Sequence, residues 1–125
     1  MWDAFLKHKI QAQREFAVTV NKHGANFYYL DFAIFCKKRN IDVECNGFQY
    51  HGSKEAVRYD KNRNNILESK GWSVLRFTTE EINDHLDKTI SLVKETINKY
   101  GGLKLKDGAT RPMKLDNDNP QMSLF

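Results

Sequence analysis

A change of hydrophobic period near Ser53 constrains the fold more than any other feature of this chain. Before it, EFAVTV, FYYLDFAIF and IDVECNGF are rich in Val, Ile, Phe and Tyr, and the polar segments NKHGAN and KKRN separate them. Such runs suit a pleated surface, so three consecutive strands are expected, the first two as a hairpin. After it, SKEAVRYDKNRNNILESK shows no alternation and stops at Gly71, the residue type that closes helices in the left-handed conformation. Ala56, Tyr59, Asp60, Arg63 and Leu67 share the face of this helix that should meet the sheet. WSVLRF reads as a fourth strand. Thr78, with Glu81 three residues on, makes a capping box for one last helix. Its apolar stripe is Ile82, Leu86, Ile90, Val93 and Ile97, and Gly101-Gly102 ends it. Trp2, Phe5, Leu6 and Ile10 predict a short opening helix. The order α-β-β-β-α-β-α implies an α/β fold, a mixed sheet of about four strands flanked by helices. The strand that follows the crossover helix can run parallel to an earlier one.

A chain of 125 residues that is 40% hydrophobic is expected to form one domain whose core needs no disulfide staples. Residues 1–102 are assigned to that domain. Residues 103–125, with little periodicity, are assigned to a flexible tail in which LKLK is the one candidate edge strand. No stretch approaches the ~20 apolar residues that span a bilayer, and the start lacks the apolar core of a signal peptide. Cys36 and Cys45 have no zinc-like spacing and are read as reduced thiols of a cytoplasmic protein. The net charge of +4 is compatible with a phosphate-rich partner without indicating one.

Two carboxylates interrupt the apolar runs: Asp31 in YYLDFAIF and Glu44 in IDVEC. Alternation places Leu30, Phe32 and Ile34 on one face and Asp31, Ala33 and Phe35 on the other. In the next strand Asp42, Glu44 and Asn46 oppose Ile41, Val43 and Cys45. With KKRN as a four-residue hairpin loop, Ala33 pairs with Glu44 and Asp31 with Asn46. Asp31 and Glu44 are then diagonal neighbours, roughly 7 Å apart at the backbone. Carboxylates held so close repel unless a cation lies between them, and hard oxygen donors suit Mg²⁺ or Mn²⁺. The alternative is that both acids face solvent from a half-exposed sheet.

LDFAI, VECNGFQYH and YDKNRNNILESKGWSVLRFT, in that order, resemble the very-short-patch-repair (Vsr)-like branch of the PD-(D/E)XK, restriction-endonuclease-like superfamily. The resemblance covers about residues 10–98 and implies metal-dependent hydrolysis of a nucleic-acid phosphodiester. On this pattern Asp31 and Glu44 correspond to the metal-binding acids, and Asn46 falls at the superfamily's lysine position. His51 corresponds to the branch's histidine, a base or leaving-group acid. Asp60 and Arg63 match a polar pair on the helix, Arg76 matches an arginine of the last strand, and Gln13 matches a glutamine ahead of the first. The chain departs from the pattern at Leu30, where a proline is usual, at Asn46, and in a short first helix that offers only Asp3. Arg63, Lys54 or Lys61 would then supply charge stabilisation in place of the missing lysine.

The chain ends in QMSLF, which resembles the bacterial sliding-clamp-binding peptide. Met122, Leu124 and Phe125 would be its apolar anchors, with Gln121 and Ser123 as polar contacts. These readings converge on a Mg²⁺- or Mn²⁺-dependent nuclease that acts on DNA, or on RNA as the alternative substrate, with recruitment to the clamp through the tail. The competing reading is a binding module that kept the fold and lost the chemistry.

Overall fold

In the computed structural model, residues 1–19, 27–46, 54–105 and 109–115 are described, residue 46 in its backbone only. Helix α1 (Trp2–Lys7) precedes strands β1 (Gln13–Thr19), β2 (Phe27–Ile34) and β3 (Asn40–Asn46). Helix α2 (Lys54–Ser69) then crosses to β4 (Trp72–Thr78). Helices α3 (Thr79–Asp84) and α4 (Leu86–Lys99) follow, then short strands β5 (Leu103–Lys104) and β6 (Thr110–Arg111). The sheet order is β1-β2-β3-β4; β1, β2 and β3 pair antiparallel, and β3 and β4 pair parallel. The architecture is therefore the mixed α/β sheet that the sequence implies.

Each face of the sheet buries its own core. On one face Phe32, Ile34, Ile41, Val43 and Phe77 pack against Phe5 of α1 and Ile90, Val93 and Ile97 of α4. On the other, Leu30, Ala33, Trp72 and Val18 pack against Leu67 of α2. The helix expected after Thr78 is two helices. The Thr78–Glu81 capping box is present, but His85 leaves helical geometry (φ −135°, ψ 40°). The Thr89 hydroxyl, donating to the Glu81 carbonyl at 3.3 Å, bridges the joint. Tyr59 and Leu6, expected on buried faces, are more than half exposed. On α2 it is Arg63 and Leu67 that are buried.

The packed chain runs on beyond Gly102. Leu103 and Met113 are buried in the first core, and both backbone groups of Met113 bond the Asn98 side chain, at 2.6 and 3.0 Å. Gly102 makes this return close-fitting. Its φ is +91°, and a Cβ there would lie 2.8 Å from the backbone of Arg111. Residues 116–125, including QMSLF, lie outside the described residues, as does His51.

The β2–β3 register differs from the expected one by two residues. The pairs are Phe32↔Val43, Ala33↔Asp42 and Ile34↔Ile41, so Ala33 does not face Glu44. The cause lies past Ile34, where the chain leaves β3 for the C-terminal segment. Cys36 bridges Leu103, Lys37 N–H donates to the Gly102 carbonyl, and Lys104 N–H donates to that of Phe35. The connection is therefore longer than KKRN. An even shift leaves the faces of β3 unchanged.

Strict alternation also fails in β2. Leu30 packs with Ala33 in the second core, whereas Phe32 and Ile34 belong to the first. The break falls where Glu15 of β1, at φ +53°, drops out of the ladder between Arg14↔Phe32 and Phe16↔Leu30. Asp31 stands opposite that residue.

Candidate metal centre

Asp31 lies where β2 parts from β3, and one further step of the register would set it opposite Glu44. In place of ladder bonds the two residues exchange side-chain contacts with backbone. Asp31 N–H donates to Glu44 Oε2 at 3.2 Å, and Cys45 N–H donates to Asp31 Oδ2 at 2.8 Å. Each carboxylate thus reaches across to the backbone of the neighbouring strand. Burial is the main cause that raises the Asp31 pKa above the usual carboxylate range. The negative charges of Glu44 and Glu15 add to it, and the Cys45 N–H and Arg63 oppose it.

Asp42, two residues before Glu44 on the same face, is fully buried, with no exposed surface. Among the described residues neither of its carboxyl oxygens has a hydrogen-bond partner. Burial is the main cause that pushes its pKa up, and the neighbouring Glu44 adds to it. Sequence reasoning placed Asp42 on this face but did not name it as a functional residue. The signal was available in IDVEC, where two acids are spaced to share one side of a strand.

Arg63 provides the local positive charge. It is buried on α2, with Nη2 3.4 Å from Glu44 Oε2 and Nη1 3.7 Å from Asp42 Oδ2. Nη2 also donates to the Tyr29 carbonyl at 3.1 Å, and the guanidinium lies 5.4 Å from the Tyr28 ring centre. A planar fork of donors suits this several-sided role better than a lysine would. Asp60, one turn earlier, pairs instead with Arg76 of β4 at 3.9 Å. Arg76 also donates to Asn64 Oδ1 at 2.7 Å, a residue the sequence reading passed over. Both Asp60 and Arg76 brace α2 against the sheet beside the acids, Arg76 standing next to Glu44 in the β3–β4 ladder.

The remaining residues singled out from the sequence divide as follows. Asn46 ends β3, with its backbone beside Thr78 rather than opposite Asp31. Lys54 and Lys61 are exposed on α2. Gln13, also exposed, opens β1 opposite Ala33 and lines a cleft with Trp2, Phe5 and Phe35. Among the described residues no group of three or more His, Cys, Asp or Glu side chains is already arranged as a metal cage. The donor set is nonetheless hard oxygen, with more acid than its arginine neutralises. That composition fits Mg²⁺ or Mn²⁺, which keep several waters and need few protein ligands. Among the described residues no helix is long and apolar enough to cross a membrane.

Comparison with known proteins gives this geometry a context. The chain is 36% identical over 78 residues to the uncharacterized protein YcjD of Escherichia coli (strain K12). That match covers 62% of each chain, so less than two thirds of the relative's length is spanned. No solved structure matches. The family model REase_MTES_1575 matches residues 8–97, which takes in β1 to β4, both acids and most of α4. The chain belongs to this restriction-endonuclease-like family.

Proposed function

We propose that the protein is a nuclease that uses Mg²⁺ or Mn²⁺ to hydrolyse DNA phosphodiester bonds, with Asp31 and Glu44 as its metal ligands. One observation carries the reading: the side chains of these acids cross between β2 and β3 at the point where the strands part. The match to a restriction-endonuclease-like family supports it. A divalent ion held by these acids supplies polarisation of a phosphoryl oxygen and a bound water of lowered pKa.

The chain's own residues do the rest. The Cys45 N–H fixes the Asp31 carboxylate, and Arg63 and the Asp31 N–H fix that of Glu44, so both acids are oriented before substrate arrives. Arg63 is engaged with carboxylates and acts as a positioning residue. Lys54 and Lys61, exposed on the same helix, meet the charge that develops on the phosphate. His51 manages a proton and Asn46 stands in for the family lysine, roles that rest on the sequence pattern. The Vsr-like assignment and recruitment to a sliding clamp through Gln121–Phe125 rest on the sequence in the same way.

The test is cleavage of labelled single- and double-stranded DNA, and of RNA, by native protein, Asp31→Ala and Glu44→Ala. Each is assayed with Mg²⁺, with Mn²⁺ and with EDTA. Metal-dependent cleavage confined to the native protein is expected. Equal cleavage by native and Asp31→Ala overturns the assignment. Metal binding without cleavage of any substrate favours the non-catalytic binding module. Deletion of residues 121–125 should abolish capture by immobilised clamp, and unchanged capture removes the tail from the proposal.

A further inference from the structure

We propose that two adjoining clefts along α1, α4 and the return beyond Gly102 form a basic track that holds the phosphate backbone of a nucleic acid outside the cleavage site. The inference rests on the nuclease reading above and adds to it the surface by which the substrate is held. Its first support is the charge of the lining. Lys9, Lys104 and Arg111 line the first cleft, and Lys7, Lys94 and Lys114 join Lys9 and Arg111 in the second. Among the described residues no Asp or Glu lines either cleft. Without these six cations the chain would have 14 basic residues against 16 acids, so this surface accounts for the whole basic excess of the protein.

The second support is shape. Lys9 and Arg111 are common to both clefts, whose volumes of about 830 and 500 Å³ exceed what one phosphate group fills. Cations spread along such a surface from three separate parts of the chain suit a polyanion, whereas a single small anion calls for donors that converge on one point. Two of the cations are held in place. Lys94 is only 3% exposed, so α4 sets its charge in the wall instead of letting it sweep through solvent. Arg111 donates from Nη2 to the Lys9 carbonyl, which ties the return to the end of α1, where Lys9 takes a left-handed φ of +56°. Cations ordered beforehand lose less freedom on binding. Between the cations, Trp2, Phe5 and Phe35 give the first cleft an apolar floor that accepts sugars and bases.

The third support is position. Gln13 lines the first cleft and pairs with Ala33 in the β1–β2 ladder. Asp31 lies two residues from Ala33 on β2, about 7 Å along a strand. A nucleic-acid strand lying in the track is thereby led to the acids. Its affinity comes from backbone phosphates, which carry no sequence information.

Fluorescence anisotropy of labelled single- and double-stranded DNA, titrated with the full chain in EDTA over a series of salt concentrations, tests the proposal. Native protein is compared with a triple variant of exposed track cations, Lys7→Gln, Lys104→Gln and Lys114→Gln. A second triple variant, Lys38→Gln, Lys70→Gln and Lys88→Gln, removes as much charge from exposed positions outside the clefts. Thermal unfolding checks that both are folded, and single variants replace a triple one that is not. The slope of log affinity against log salt should fall by about 2 to 3 in the track variant, or about 1 for each single substitution in it. The control should keep the native slope. Equal losses in both variants, a native slope in the track variant, or no DNA binding by native protein overturns the proposal. A mononucleotide bound as tightly as a long strand assigns the clefts to a small ligand and overturns it as well. Because EDTA keeps metal out of the measurement, a failed track leaves Asp31 and Glu44 untouched, and absent cleavage leaves the track standing.

Discussion

Asp42→Asn should make the metal-free protein more stable at neutral pH, although it removes a residue from the most buried part of the site. Asp42 is completely buried, and its pKa is raised from its ordinary 3.8 by burial first and then by Glu44. The folded chain therefore holds a proton that the unfolded chain releases above about pH 4. Folded-state stability is complete below 3.8 and falls as pH rises through the interval up to the raised folded-state value. At pH 7 the ceiling on this loss is about 1.36 kcal/mol for each pH unit above 3.8, or about 4 kcal/mol. The ceiling does not depend on how far the folded value lies above neutrality, because a proton already held at pH 7 costs no more if it is held more tightly. Asparagine never ionises, keeps nearly the same volume, and offers an N–H to Glu44 and a carbonyl to Arg63.

The asparagine amide carries its own cost of burial, so the expected gain at pH 7 is about 2 kcal/mol rather than the full ceiling. The assay is urea unfolding in EDTA, followed by far-UV circular dichroism, for both proteins at pH 4.5, 6, 7 and 8. The two midpoints should nearly coincide at pH 4.5 and diverge steadily, with the variant ahead. Lower stability of the variant at every pH, or a gap that does not change with pH, would show that Asp42 is ionised and well paired in the folded protein.

Removing the guanidinium should act in the opposite direction. Arg63→Met is expected to destabilise the protein by about 3 kcal/mol at pH 7, since it strands the buried Glu44 carboxylate. Gly102→Ala should cost about 2 kcal/mol in the same urea assay, combining strain at positive φ with a Cβ set 2.8 Å from the Arg111 backbone. Burial pushes the Cys36 thiol up to about 12 and, with Asp31 nearby, the Cys45 thiol to about 11. Both should resist a thiol reagent at pH 8 in the native protein and react promptly in urea. Because their ordinary value is 9.0, they contribute stability that is complete below pH 9 and is lost as pH rises toward 11 and 12.

That Asp31 and Glu44 stand on neighbouring strands is legible in the sequence, because both acids interrupt apolar strand runs, and the even register shift leaves the faces of β3 unchanged. A shift of one residue would have turned the β3 acids to the other face. The shift itself arose from contacts far along the chain. Nothing in FCKKRN announces that Cys36 will bridge Leu103 and draw the hairpin connection out. Asp42 was visible as a neighbour of Glu44, but its complete burial was not, because it depends on α2 laying Arg63 over that face of the sheet. On α2 the spacing rule turned Tyr59 inward. The outcome is that Arg63 and Leu67 take the buried positions and Tyr59 is left mostly exposed, its ring meeting that of Tyr28 edge-on at 6.3 Å. The left-handed Glu15 carries no sequence signature, since glutamate is a residue type for which positive φ is not expected.

These departures from local preference fall together where β1, β2 and β3 meet. A buried acid without a hydrogen-bond partner, a glutamate at positive φ, a break in strand alternation and an arginine buried among carboxylates all lie within one step of Asp31 or Glu44 in the sheet. Each opposes stability by itself, whereas the two apolar cores on either side follow ordinary packing rules. A chain selected only to fold could relieve the first with asparagine and the second with glycine. That both cheap remedies lie close to the acids of a restriction-endonuclease-like family is accounted for if, as proposed, those acids hold a cation. On the proposed reading, the protein without metal keeps a proton on Asp42 and an arginine among its carboxylates as the cost of that centre.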